Sequence, residues 1–165
     1  MIRLERFTTA YDPVEDRIRI AGEAGNGART TAWLNMRLLR LLVPALAGWV
    51  ERRGPGEGAA ALAVQEFHQI AATASFAVDQ RTIPAVVSHE PGRLVVSVDY
   101  TDLGAAMRLV FKDREGAPFA GLDLPELALR QWLGIVCEAH LAGGWPVDAF
   151  PGWLLPCRNT DALPN

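Results

Sequence analysis

The chain has 165 residues, a formal net charge of −3 and 50% hydrophobic residues, which excludes a disordered chain and predicts one domain with its own core. The charge offers no basic footprint for neutralising phosphates, so direct binding of nucleic acid is not expected, although four arginines between Arg37 and Arg53 could form a local patch. Three observations favour a cytoplasmic location. The chain has only two cysteines, Cys137 and Cys157, no signal-peptide pattern follows Met1, and no apolar run reaches the roughly 18 residues of a membrane-spanning helix.

The first third of the chain predicts three strands separated by turns. Ile2–Tyr11 is rich in Phe and Thr, and the Asp12–Asp16 stretch ends it as a turn. Arg17–Ile20 alternates polar and apolar residues, as a half-buried strand does. After the glycine turn 25–27, Thr30–Leu34 predicts the third strand.

Two helices are predicted next. Asn35 is a suitable N-cap for a helix over Met36–Arg53, whose apolar circumference leaves one solvent stripe. After the Gly/Pro-rich segment 54–58, a second helix is predicted over Ala59–Thr73. The face expected to be buried consists of Val64, Phe67, Ile70 and Ala71.

The second half predicts four more strands and a closing helix. The strands are expected over Ala85–Ser88, Arg93–Tyr100, Met107–Lys112 and Pro118–Leu124, with a Pro-Gly turn at 90–93. Pro125 begins a helix that runs to Ala142, where Gly143 and Gly144 stop it. The predicted class is α+β: an antiparallel β-sandwich or curled sheet of about seven strands, a helical pair between strands three and four, and a C-terminal helix.

No catalytic, cofactor-binding or metal-binding residue is predicted, and the chain is not expected to be an enzyme. Cys137 and His140 lie one helical turn apart, but a metal site needs three or four ligands and no further cluster supplies them. A buried cysteine and a histidine at a helix carboxyl end are the favoured interpretation. The glycine-rich segment 22–27 leads into a strand and not a helix, which argues against a phosphate-binding loop.

The closing helix and the tail suggest an interaction surface. Glu126, Arg130 and Glu138 form one narrow polar stripe, and the rest of the helix surface is apolar. Such a helix has more apolar surface than one core uses, so a partner chain or the tail is expected to cover it; the alternative is complete burial within one protomer. The predicted dimer or partner interface consists of Leu129, Trp132, Leu133, Val136, Trp145 and Trp153.

Three features resemble one superfamily of head domains. The Ala32-Trp33 pair leads into a helical insertion (Met36–Thr73), the hairpin-rich block Ala85–Leu124 leads directly into a helix with the early Pro125, and that helix is strongly apolar. Together they resemble the head domain of the end-joining scaffold protein, XLF and the centriolar cartwheel protein, here as a prokaryotic-type member covering residues 1–142.

The resemblance implies a β-sandwich head clamped on a helix-turn-helix, dimerisation and no enzymatic activity. The chain departs from that pattern at residues 143–146, which end the last helix after about five turns, so the long coiled coil and the family's repair and cartwheel roles do not carry over. Residues 143–165 then form a Trp- and Pro-rich tail that packs on the body or on a partner.

The leading hypothesis is a non-enzymatic, homodimeric scaffold or adaptor without a cofactor, whose partners are itself and another protein. A binder of an apolar ligand or a membrane surface, using the tail and the third helix, is the second hypothesis. A thiol-dependent enzyme that uses Cys137 is the third.

Overall fold

The computed structural model describes residues 1–54, 56, 58–79, 85–87 and 91–155, with the side chains of residues 78 and 79 excepted. The fold is α+β, as predicted, with three helices and two mixed four-stranded sheets. The first sheet contains, in spatial order, β2 (Arg6–Asp12), β3 (Arg17–Glu23), β4 (Arg29–Leu34) and β5 (Arg93–Leu94). The second contains β1 (Ile2–Arg3), β8 (Pro118–Pro125), β7 (Ala106–Lys112) and β6 (Ser97–Asp102). Neighbouring strands are antiparallel except for the pairs β1–β8 and β4–β5.

The chain passes between the sheets at its beginning, so the strand predicted over Ile2–Tyr11 is two strands. The Leu4 amide donates to the Gly121 carbonyl of the second sheet at 2.9 Å, and the next amide, that of Glu5, donates to Glu23 of the first sheet at 2.9 Å. Leu4 itself is buried against Gly22, where any Cβ would overlap the leucine side chain. The glycine therefore makes room for the crossing.

A second crossing divides the strand predicted over Arg93–Tyr100. The Val95 amide donates to the Trp33 carbonyl of the first sheet, and the Val96 amide donates to the Lys112 carbonyl of the second, both at 2.9 Å. Residues 85–87 have irregular backbone where a strand was predicted, and Ser88 and Glu90 lie outside the described residues. Among the described residues, two divided strands and one predicted strand that does not form give eight strands in place of the predicted seven.

The first two helices begin at the predicted residues but end elsewhere, whereas the third begins one residue after the predicted Pro125 and ends at the predicted Ala142. α1 (Met36–Glu51) is capped by Asn35, whose side chain accepts the Leu38 amide at 2.8 Å. It stops two residues before the predicted end. α2 (Ala59–Asp79) runs six residues past its predicted end, and α3 (Glu126–Ala142) follows Pro125 directly. α1 and α2 lie in the chain between β4 and β5.

One hydrophobic core joins both sheets to α1, α3 and the tail. Representative buried members are Ile20 of β3, Leu46 of α1, Phe111 of β7 and Leu133 of α3. Trp145, Phe150, Trp153 and Leu154 of the tail belong to the same core, the last two in a short 3-10 turn (Gly152–Leu154). No described residue of α2 belongs to this core: α2 packs mainly on α3 and on the 3-10 turn.

Candidate interaction surface

The side chains predicted as a dimer interface lie inside a single protomer. α3 is surrounded by β2, β7, β8, α1, α2 and the 3-10 turn, which together cover most of the apolar circumference that the prediction reserved for a partner and leave Leu127 and Leu141 about half exposed. The indoles of the tail are tied down as well: Trp145 donates to Asp16 at 2.9 Å and Trp153 to Glu51 at 2.8 Å. The six residues, none more than 9% exposed, are Leu129, Trp132, Leu133, Val136, Trp145 and Trp153. Because these six side chains are buried, the exposed apolar surface of α2 takes their place as the candidate interface.

The inward face of α2 is polar because it meets a buried arginine. Arg130 of α3 is 3% exposed, and it donates to Gln65 at 2.6 Å and to Glu126 at 3.0 Å. Gln69, also buried, donates to the Arg130 carbonyl at 3.1 Å, next to Gly134, which leaves space for it. Gln65 therefore supplies an acceptor for the buried guanidinium, and Gln69 supplies a donor for the backbone carbonyl of the same residue, so both amide side chains of α2 turn toward α3.

The outward face of α2 is apolar, contrary to the prediction. Phe67 and Ile70, predicted to be buried, are each 69% exposed; Ala71 is exposed and Val64 only half-buried. The helix is alanine-rich and apolar around most of its circumference, so the pattern did not distinguish its two sides; the polar contacts to Arg130 decide the side that faces the body. Six exposed apolar positions lie along one stripe, called the outer face of α2: Ala60, Ala63, Phe67, Ile70, Ala74 and Ala77.

The outer face has the spacing of a helix-pairing seam. Its positions follow one another by three, four, three, four and three residues, which is the a and d pattern of a coiled coil. No Lys or Arg occurs in residues 59–79, and Glu66 is the only acidic residue before Asp79. An uncharged stripe of this spacing fits the side chains of another helix.

A second apolar surface surrounds Leu41 on α1. Leu41 is 72% exposed, and Leu94 and Val96 lie beside it in an open cleft whose rim includes Arg37 and Arg93. These residues come from two separate segments, α1 and residues 93–96, and show no helical repeat. The surface around Leu41 therefore lacks the regular spacing that lets the outer face of α2 pack against a second helix.

An apolar cleft lies between β2 and α3. Its volume is about 540 Å³, and Phe7, Phe76 and Ile135 are among the side chains that line it. Arg6 and Glu138 also contribute to its lining, so charged groups are available at its margin. A cleft of this size and composition can accept a small apolar molecule.

Cys137 and His140 are buried and pack against neighbouring side chains. Both are 0% exposed. His140 Nδ1 lies 3.0 Å from the Val136 carbonyl and, since a carbonyl only accepts, carries the proton. The ring meets Trp145 and Phe150 edge-on, with centroids 5.0 and 4.8 Å away. Burial lowers the pKa of His140 below its ordinary value, so the imidazole is neutral at pH 7.

Within the described ranges, no three His, Cys, Asp or Glu side chains are placed to hold a metal ion. None of the helices described is long and apolar enough to cross a lipid bilayer. Comparison of the chain with models of protein families, with curated proteins and with solved structures gives no match.

Proposed function

We propose that the protein is a non-enzymatic, homodimeric scaffold or adaptor, and that two copies associate through the outer face of α2. The observation that carries the proposal is the continuous apolar stripe around Phe67 and Ile70 on a helix whose two glutamines, Gln65 and Gln69, face inward. The superfamily that the sequence resembles, whose head domains dimerise and have no enzymatic activity, supports the same function.

Exposure of this stripe has an energetic cost that association would remove. Scattered apolar residues on a protein surface are ordinary, but contiguous ones mark sites of interaction. Phe67 and Ile70 are adjacent on the helix surface, and the four alanines extend the stripe on both sides. Burying apolar surface contributes about 25 cal/mol per Å².

A protein helix fits the outer face better than a membrane surface does. Helices that lie on membranes carry Lys and Arg on their polar side to meet anionic headgroups. α2 has neither residue, and its polar side is occupied by contacts with α3. The a and d spacing, in contrast, is the requirement for packing against a second helix.

Light scattering across protein concentrations tests the proposal. At tens of micromolar the wild-type mass should approach twice the 17.9 kDa of one chain, and Phe67→Gln/Ile70→Gln should remain a monomer. Leu41→Gln is the matched control, because Leu41 is equally exposed and lies on α1. A wild-type monomer at every concentration refutes the homodimer; a dimer lost in Leu41→Gln alone assigns the interface to the surface around Leu41.

A second candidate function is binding of an apolar ligand, which the cleft lined by Phe7 and Ile135 supports. Fluorescence of an apolar dye such as anilinonaphthalene sulfonate tests it. Enhancement that survives Phe67→Gln/Ile70→Gln but is lost in Ile135→Gln would locate the dye in the cleft. Enhancement lost in the α2 variant would assign it to the outer face instead.

A further inference from the structure

We infer that the two α2 helices pair antiparallel around a two-fold axis between residues 68 and 69, an inference that rests on the proposed homodimer. The outer face has the same order of sizes from either end: two alanines, two large residues and two alanines. A two-fold interface places one surface patch against itself, so this symmetry makes the stripe self-complementary.

The register follows from the positions. In an antiparallel pair, residues whose numbers sum to 137 lie at the same level, so Phe67 faces the partner's Ile70 and Ala60 faces the partner's Ala77. Both central layers then contain one Phe and one Ile and have equal volume. A parallel pair would stack Phe on Phe in one layer and Ile on Ile in the next, which gives layers of unequal width.

Two further features favour the antiparallel direction. Phe67 and Ile70 fill the two central layers and keep the helix axes within the roughly 8–10 Å that is usual for packed helices, while the alanines toward both ends leave room for the partner's backbone. At that distance the helix dipoles attract when antiparallel and repel when parallel. In this register Glu66 and the partner's Glu66 are offset by about 7.5 Å along the axis, so the repulsion between them is weakened.

The area of the interface predicts a dimer of moderate affinity. α2 has 21 residues and is therefore about 32 Å long and about 12 Å wide. The seam and its flanks take up about 140° of the circumference and bury on the order of 500 Å² on each copy, or about 1,000 Å² in all. This is the lower limit for a specific interface, and we expect a dissociation constant in the micromolar range.

The geometry also sets the number of copies. The opposite side of each α2 is already packed on α3 through Gln65 and Gln69. An isologous contact uses the remaining face completely, so assembly through α2 ends at two copies and forms no filament.

Oxidative cross-linking of single-cysteine variants tests the direction. Ala60→Cys and Ala77→Cys are prepared in a Cys157→Ser background, in which Cys137 stays because it is buried. In the antiparallel pair two copies of residue 60 are separated by about 26 Å along the axis, far beyond the roughly 4.4–6.8 Å between Cα atoms that a disulfide spans. Ala60→Cys alone should therefore give less than a tenth of the cross-linked product that an equimolar mixture with Ala77→Cys gives.

The remaining outcomes of the cross-linking experiment distinguish the direction of the pair from the existence of the dimer. Rapid cross-linking of Ala60→Cys alone at dimer-forming concentration means a parallel pair and overturns the inference while the homodimer stands. A dimer by light scattering without cross-linking in the mixture means that α2 does not form the interface in this register, which also overturns it. A monomer by light scattering refutes the proposed homodimer itself.

Discussion

Replacing Phe67 with Ala should hardly change the stability of the monomer, although Phe67 is the largest residue on the face of α2 that the sequence pattern predicts to be buried. Phe67 keeps 69% of its surface exposed, so about a third is covered. For an aromatic side chain of roughly 200 Å², the covered part is about 60 Å², or roughly 1.5 kcal/mol at 25 cal/mol per Å². Part of this area faces its own helix, and Ala is the better helix former by about 0.5 kcal/mol, so we expect a net loss below about 1 kcal/mol.

Phe111→Ala is the matched control, because the same atoms are removed from a side chain of β7 that is 0% exposed. Truncation of a buried Phe costs about 3–5 kcal/mol, a large part of the roughly 5–15 kcal/mol that stabilises a domain. If Phe111→Ala does not fold, Phe111→Leu and Phe67→Leu form the equivalent pair.

The assay is urea unfolding followed by tryptophan fluorescence, at a protein concentration well below one micromolar. Under these conditions dimerisation adds nothing, and the comparison reports the monomer alone. At tens of micromolar the wild type should gain stability, because only folded chains associate into the dimer. Phe67→Ala should gain none, because it lacks the side chain at the centre of the interface. A loss of 3 kcal/mol or more for Phe67→Ala in dilute solution would refute the outward orientation of this face.

Two further predictions concern buried residues. Because burial lowers the pKa of His140 in the folded state, the unfolded chain binds more protons, and the free energy of unfolding should fall as pH drops through about 6.5, by up to about 1.4 kcal/mol per pH unit. His140→Gln should flatten this slope in urea melts at several pH values. A slope that the variant leaves unchanged would contradict the prediction. Trp49→Ala, at a 1% exposed site, should cost about 3–5 kcal/mol, whereas Cys137→Ala should be much milder; equal losses, or stoichiometric zinc in the purified protein, would contradict the reading of Cys137 as a packing residue.

Local signals in the sequence were sufficient for the α+β class, for the starts of α1 and α2 and for the end of α3. Asn35 caps α1, and Pro125 and Gly143 bound α3, because such residues act within one turn of the chain. The same signals could not show where the chain changes sheets. Leu4–Glu5 and Val95–Val96 lie in runs that favour strands throughout, and their hydrogen-bond partners lie far away in the sequence.

The orientation of α2 was likewise decided by tertiary contacts. Its apolar residues occur around most of the helix, so periodicity alone placed Phe67 and Ile70 on the wrong side. Arg130, more than sixty residues from Gln65, is buried, and its guanidinium and backbone carbonyl both need partners; Gln65 accepts from the first and Gln69 donates to the second, which turns both side chains inward. The apolar seam faces outward as a consequence, because a helix that satisfies a buried charge with one face must present the opposite face to water or to a partner.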